Sequence, residues 1–236
     1  LKRTSGVVLM TGPTGSGKTT SLYSFLSKVN QPEVKIITLE DPIEYQLAGV
    51  NQVQIRPEIG FDFAKGLRSI VRQDPDIIMI GEIRDNETAK IAMQSALTGH
   101  LVFSTVHTND APTAFTRLLD LGVEEFLLNA SVISVMAQRL VRKLCDHCKT
   151  PLADSLNYLS SEDALFIKNN FDVSDVTLYK AQGCEHCGGS GFKGRIAILE
   201  YLPNDKFIQQ LSKSNDFMQQ VDKYRSLNKL RTLRQD

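Results

Sequence analysis

One short stretch, Gly12-Pro13-Thr14-Gly15-Ser16-Gly17-Lys18-Thr19, constrains this chain more than any other, because it has the spacing G-x-x-x-x-G-K-[ST]. Glycine adopts backbone angles closed to other residues, so such a loop can turn its N–H groups inward around an anion. Where the loop opens a helix, the positive end of the peptide dipole adds to the attraction. Lys18 can then reach the β- and γ-phosphates of a nucleotide and the Thr19 hydroxyl can ligate Mg²⁺, with Thr20 completing the candidate phosphate-binding set. The flanks agree with that reading. Gly6 to Thr11 is an apolar strand-like run, and Lys18 to Val29 sets Leu22, Phe25, Leu26 and Val29 at helical spacing. A chance glycine turn accounts for the loop but not for a strand before it and a helix after it.

Beyond this point strands and helices alternate. Val34 to Glu40 is rich in β-branched residues and is ended by Asp41-Pro42. From Ile43 to Ile55 the loose alternation of Val50, Val53 and Ile55 predicts a short hairpin. Asp62 is placed to cap a helix through Phe63, Leu67, Ile70 and Val71 that presents Lys65, Arg68 and Arg72 and ends at Asp74-Pro75. Four consecutive apolar residues, Ile77 to Ile80, suit a strand covered on both faces and lead to Gly81-Glu82. Asn86 is a candidate cap for the next helix, which Gly99 stops. Leu101 to Val106 is again a strand, closed by His107-Thr108-Asn109, and Pro112 starts a short helix. The apolar run from about Glu124 to Leu144 predicts one longer helix. This alternation implies a mostly parallel sheet with helices on both sides, in which ligands bind at the carboxyl ends of the strands. The glycine loop, Glu40, Glu82 and His107 each follow such an end.

That convergence suggests hydrolysis of a nucleoside triphosphate, which needs phosphate charge neutralised and water oriented or deprotonated. Asp76 precedes its apolar run and lies at the wrong end, so Glu82 takes the metal-site role by position. Glu40 is the candidate base, with Glu44 as a weaker substitute, and His107 a candidate γ-phosphate sensor. Arg84, with Arg68 and Arg72, can meet phosphate oxygens bidentately. The plainer alternatives are an ion pair of Glu82 with Arg84, a cap or turn contact for Glu40, a structural histidine, and arginines paired with Asp74, Asp76 and Asp85.

The 236 residues, 42% hydrophobic, suffice for one large domain and a smaller appendage. With 27 Lys and Arg against 27 Asp and Glu, no overall field draws the chain to nucleic acid or anionic lipid. No apolar run is long enough to span a bilayer and no signal segment precedes the first strand, so a cytoplasmic protein is expected. The start at Leu1 on a strand, without methionine, and the end at Asp236 in a polar, helix-prone stretch read as a fragment. All four cysteines fall in two C-x-x-C pairs, Cys145 and Cys148 with Cys184 and Cys187, spaced to hold Zn²⁺ tetrahedrally, the alternatives being a redox role or unmetallated thiols. His147 and His186 are possible substitute ligands. Between the pairs, 151–181 is polar, with a helix expected around 162–169 and a short strand near 176–179. A strand from Gly194 to Leu202 and polar helices follow. The expected domains are therefore 1–144 (nucleotide core), 145–190 (tetracysteine zinc subdomain) and 191–236 (strand and helices).

Four segments together resemble the motifs of the type II secretion and type IV pilus assembly ATPases, over nearly the whole chain: Gly12 to Thr19 as Walker A, Ile37 to Glu44 as the aspartate box, Ile80 to Asp85 as Walker B, and Gly99 to Asn109 as the histidine box. The resemblance implies a RecA-like P-loop NTPase in a homo-hexameric ring, turning over ATP with Mg²⁺ to drive pseudopilin or pilin assembly. Its implied partners are inner-membrane platform and cytoplasmic docking proteins, and its implied location is the cytoplasm, peripheral to the inner membrane. Glu40 becomes the implied base, Glu82 the Mg²⁺-site carboxylate and His107 the sensor. The paired cysteines favour assembly-type members over retraction or conjugation types. The family's N-terminal domain, which supplies arginines to the nucleotide, is not in this sequence, so the isolated piece is expected to bind nucleotide and hydrolyse it poorly. Two competing functions are a nucleic-acid translocase on the same scaffold, disfavoured by the missing basic and aromatic stripe, and a nucleotide-gated scaffold without turnover, disfavoured by the two acids.

Overall fold

A computed structural model describes residues 4–152, 155–214 and 216–236. The chain forms two compact units. One holds the described residues up to Arg139 with Leu199–Arg234 and Asp236, the other the described residues of Leu140–Ile198 with Gln235. The sequence-based cuts at 144/145 and 190/191 lie inside the second unit, and the tail from Leu199 groups with the nucleotide-loop core.

In the first unit the elements run β1 (Gly6–Thr11), α1 (Lys18–Val29), β2 (Ile36–Glu40), β3 (Asn51–Gln54), α2 (Phe63–Ile70), β4 (Ile77–Ile80), α3 (Asn86–Leu97), β5 (Leu101–Val106), α4 (Ala111–Asp120) and α5 (Glu125–Ser131), and β6 (Val132–Leu144) begins in it and ends in the second unit. The second unit contains β7 (Thr150–Pro151), α6 (Ser161–Asn170) and β8 (Tyr179–Lys180); β9 (Phe192–Pro203) starts in it and passes at Leu199 into the first, which also holds α7 (Lys206–Gln210) and α8 (Phe217–Asn228). The large sheet has the order β3-β2-β4-β5-β1-β6-β9. The pairs β2/β3, β2/β4, β4/β5, β1/β5 and β1/β6 are all parallel.

Period-2 alternation builds the two faces of this sheet. Val7, Leu9, Ile37, Leu39, Ile78, Ile80 and Val102 join an apolar cluster with α2, α3, α4, α5 and the tail, to which Leu202, Ile208, Phe217 and Val221 belong. Val8, Met10, Ile36, Ile77, Met79, Leu101 and Phe103 face the other way and are covered by Leu22, Tyr23 and Leu26 of α1. Consecutive apolar residues in β4 are thus explained, since each face needs its own.

Three local expectations change. The apolar run 124–144 is not one helix: it breaks at Ser131, whose hydroxyl donates to Leu127 O at 2.7 Å, and continues as a strand. Val132, Ile133 and Val135 are β-branched, and pairing Val7↔Val132 through Thr11↔Ala137 fills the open side of β1, a long-range gain that overrides local periodicity. The segment 43–55 is not a hairpin; β3 alone is strand, parallel to β2 with Ile37↔Asn51 and Glu40↔Gln54. Asp85, not Asn86, caps α3, accepting from Thr88 N–H and Oγ1 at 2.8 Å each, because a carboxylate also answers the helix dipole; Asn86 donates instead to Leu121 O. Asp62 caps α2 as expected, accepting from Lys65 N–H at 2.8 Å.

The second unit is built differently. Its β7 and β8 pair over only two residues, antiparallel, α6 buries no residue, and Cys145 is the only buried apolar side chain among its described residues.

Candidate functional site

Strand register decides which residues meet. Leu39 is level with Ile80, Ile80 with Ser104, and Leu9 with both Ser104 and Val135. At the carboxyl edge Thr11 pairs with Val106 and Ala137, so the next residues in these three strands are Gly12, His107 and Gln138. Glu82 stands two residues beyond Ile80, in the neighbouring strand connection. Gly12, Pro13, His107, Thr108 and Asn109 line an open pocket of about 180 Å³.

The glycine loop is fastened from behind. At Gly12 φ is +145°, and a Cβ there would stand 2.4 Å from Gln138 O and 2.6 Å from Ser16 Oγ, so only glycine fits between loop and sheet. Gly17, with φ +87°, turns the chain into α1 and offers no side chain to cap that helix end. Gln138 bridges loop and helix, donating from Nε2 to Ser16 O at 2.8 Å and accepting from Ser21 Oγ at 2.7 Å. Lys18 is buried and donates to the loop carbonyls of Gly12 and Pro13 at 2.8 and 3.1 Å. Burial lowers its pKa; nearby Glu82 opposes this and Arg139 adds to it. Thr14 and Gly15 are exposed, Thr19 is half-buried and Thr20 exposed. The Ser16 hydroxyl is buried without a hydrogen-bond partner.

Glu82 and His107 come together. Glu82 Oε1 pairs with Arg84 Nη2, which holds the guanidinium pKa above its ordinary value. Glu82 Oε2 lies 3.3 Å from His107 Nε2 yet is buried without a well-formed hydrogen bond. The loop after β5 is tied to β1 and β6, since Thr108 N–H donates to Thr11 Oγ1 at 2.9 Å and Arg139 Nη2 donates to Asn109 O at 2.8 Å.

Glu40 sits at the end of β2 in a closed cage. It is 3% exposed; Oε2 accepts from Tyr23 OH, and Oε1 accepts from Thr38 Oγ1 at 2.5 Å and Gln52 Nε2 at 3.1 Å. Burial and this carboxylate raise the Tyr23 pKa well above that of a free phenol. Glu44 is exposed on the following loop. Asp76, at the opposite edge, accepts from Lys35 N–H at 2.7 Å. Arg68 pairs with Glu87 rather than with Asp74, Asp76 or Asp85, and the Arg72 side chain is exposed.

Sequence reasoning missed Tyr23, Gln52, Gln138 and Arg139. The last two follow Val132–Ala137 directly, so reading that run as a strand would have put them at a carboxyl end with the others.

In the second unit the Sγ atoms of Cys145, Cys148, Cys184 and Cys187 all lie within 4.8 Å of one another, placed to hold a metal ion. Separations are 3.9 Å for 145–184, 3.9 Å for 148–187 and 3.8 Å for 184–187. Burial raises the Cys148 thiol to about 11, whereas at Cys187 burial is outweighed by N–H donors from Cys184 and Gly191 and the pKa falls to about 6. His147 and His186 stack on each other, ring centres 4.0 Å apart, instead of joining the thiols.

A parallel sheet covered on both faces, with a glycine loop, an acid and a histidine loop at one carboxyl edge, defines a RecA-like P-loop NTPase fold. The chain belongs to the type II/IV secretion system protein family, whose model matches residues 1–236. It is 46% identical over 234 residues to the type IV pilus assembly ATPase PilB of Thermus thermophilus, covering 98% of this chain and 26% of that protein. It is 47% identical over 224 residues to the type II secretion system ATPase E of Vibrio cholerae, covering 95% of this chain and 43% of that one. A crystal structure of the pilus retraction motor PilT with bound ADP matches with a TM-score of 0.66 at 30% identity, over 95% of this chain and 55% of that chain. The chain thus spans less than half the length of these two curated relatives. No helix among the described residues is long and apolar enough to cross a membrane.

Proposed function

We propose that this chain supplies the ATP-binding and hydrolysing part of a hexameric cytoplasmic motor that powers pseudopilus assembly for type II secretion or extension of a type IV pilus. The observation that carries the reading is the register that sets Gly12 beside His107 and Gln138, with Glu82 at the next strand end. Its partners are a platform protein in the inner membrane and cytoplasmic docking proteins, so the motor works at the membrane surface without crossing it.

The site suits a nucleotide and Mg²⁺. Ser16 Oγ and Glu82 Oε2 are buried polar atoms left without hydrogen-bond partners beside a buried lysine, and the start of α1 carries no side-chain cap. Gly12 to Thr20 hold the phosphates: the backbone N–H groups of Gly15, Ser16 and Gly17 cradle them, and Lys18 exchanges the Gly12 and Pro13 carbonyls for phosphate oxygens. Thr19 and Glu82 would hold Mg²⁺, which when bound neutralises charge on the phosphate oxygens. His107 reports the γ-phosphate to Glu82, and Arg84, released from Glu82, offers its fork to the developing charge. Glu40 orients the attacking water and takes its proton, which requires the Tyr23 hydroxyl to give way to water, since both carboxylate oxygens are otherwise occupied.

The four cysteines suit Zn²⁺: with Zn–S near 2.3 Å, tetrahedral sulfurs lie roughly 3.8 Å apart. Three of the six Sγ–Sγ separations, at 3.8–3.9 Å, match that spacing, and all six lie within 4.8 Å. The role is structural, because four thiolates leave no open position.

The reading is tested by ATP turnover of the whole protein with and without its membrane platform, for the wild type and Glu40→Gln. Stimulation by the platform and a loss of about 10²–10⁴-fold in the variant are expected. Unchanged turnover in Glu40→Gln removes it as the base, and stimulation by DNA or RNA in place of the platform would make the chain a translocase.

A further inference from the structure

The tail of the chain reaches the His107 loop through a buried pair of charges. Glu200 on β9 and Arg225 on α8 are 2% and 5% exposed, and Arg225 Nη2 donates to Glu200 Oε1 at 2.6 Å. The same oxygen accepts from the backbone N–H of Ala111 at 2.7 Å, and Oε2 accepts from Leu233 N–H at 3.2 Å. Ala111 is the first residue of α4, directly after the loop of His107, Thr108, Asn109 and Asp110. That loop is already anchored on its other side by Thr11 and Arg139. It therefore hangs between the strands of the nucleotide site and the tail. An edge-to-face contact of Phe115 with Phe217, ring centres 5.8 Å apart, joins α4 to α8 a turn further on.

Stability alone does not call for this pair. Desolvation offsets most of the attraction of a buried ion pair, and apolar side chains of similar size often hold as well. Glu200 supplies what an apolar side chain cannot, an acceptor for the first N–H of α4 and a negative charge at its positive end. Asp110 caps the same helix but serves Thr113 N–H, at 2.9 Å, and leaves Ala111 to Glu200. Arg225 compensates the buried carboxylate, so the contact depends on where α8 lies.

We propose that Glu200, held by Arg225, is a positioning residue of the nucleotide site that fixes the 107–110 loop from the tail side and couples the placement of α8 to His107. This rests on the reading of the site as an ATPase.

The experiment uses the whole protein and three variants. Glu200→Leu with Arg225→Met replaces the pair by apolar side chains and removes the acceptor. Glu200→Gln with Arg225→Met also removes both charges but keeps an acceptor. Tyr224→Phe perturbs α8 elsewhere, removing only the bond from its hydroxyl to Asp205. Amide exchange over residues 107–113, nucleotide affinity, and kcat and KM for ATP are measured for each. The apolar pair is expected to stay folded, to exchange roughly tenfold faster at Ala111, and to lose kcat roughly tenfold with KM changed less than about twofold. The glutamine pair is expected to recover most of both losses, and Tyr224→Phe to show neither. Equal exchange and turnover in the two pair replacements, or the same losses in Tyr224→Phe, overturn the proposal. If the wild type hydrolyses no ATP the site reading fails by itself; exchange and affinity in the same variants then decide the inference, and unchanged values overturn it.

Discussion

The glycine loop stands on β1 and β5, in which every residue is buried, whereas the four cysteines stand in a unit whose only buried apolar side chain, among the described residues, is Cys145. In the first region the apolar sheet places the chemistry, and polar groups such as Gln138 only trim it. In the second the thiols themselves are the centre of the structure. A region with so little apolar surface to bury cannot offset its chain entropy by packing, and needs a cross-link or an ion. The two sites should therefore fail in different ways.

The largest expected effect is removal of the metal proposed for the four cysteines. Structural zinc contributes on the order of 10–16 kcal/mol to small folds of this kind, so thorough chelation, or Cys184→Ser, should abolish exchange protection across residues 140–198 and leave that of β1, β4 and β5 in place. Protection retained in 140–198 without metal would break the comparison. Next comes Phe103→Ala on the buried face of β5, expected to cost about 3–5 kcal/mol by denaturant unfolding. Phe103 is 0% exposed, while Leu165 of α6 is 58% exposed, so Leu165→Ala should cost less than about 0.5 kcal/mol in the same assay. Lys18→Ala should leave the fold intact and weaken nucleotide binding by about 3 kcal/mol, roughly a hundredfold by titration.

A further expected effect concerns pH. Burial and Asp205 raise the Tyr224 pKa from 10.0 to about 12, so the folded state holds this proton more tightly than the unfolded chain. The resulting stabilisation is full below pH 10 and is lost as pH rises through about 12. Tyr224→Phe should cost about 1 kcal/mol at neutral pH and narrow its gap to the wild type over that window, as unfolding curves at several pH values will read.

What was legible in the sequence follows the same division. Ile77 to Ile80 has one sensible placement, a strand buried on both faces, and Asp62 one sensible role at a helix start, because short-range physics decides both. The run 124–144 is apolar at either period, and only the open side of β1 makes its second half a strand. Gln138 and Arg139 become neighbours of the loop through that pairing alone. The cage around Glu40 draws Tyr23 and Gln52 from 17 and 12 residues away, and Glu200 meets Ala111 across 89, distances over which no local pattern speaks. The cysteines were legible because two thiols in a C-x-x-C turn already face one point.

The claim that matters most is that the sheet edge is a hydrolytic site, with Glu82 acting on a nucleotide that the glycine loop holds. Its most direct test is ATP turnover by Glu82→Gln in the assembled protein, beside binding of a fluorescent nucleotide to the same sample. Binding within a few-fold of wild type with kcat lowered on the order of 10²-fold is the expected result. Turnover equal to wild type would contradict it.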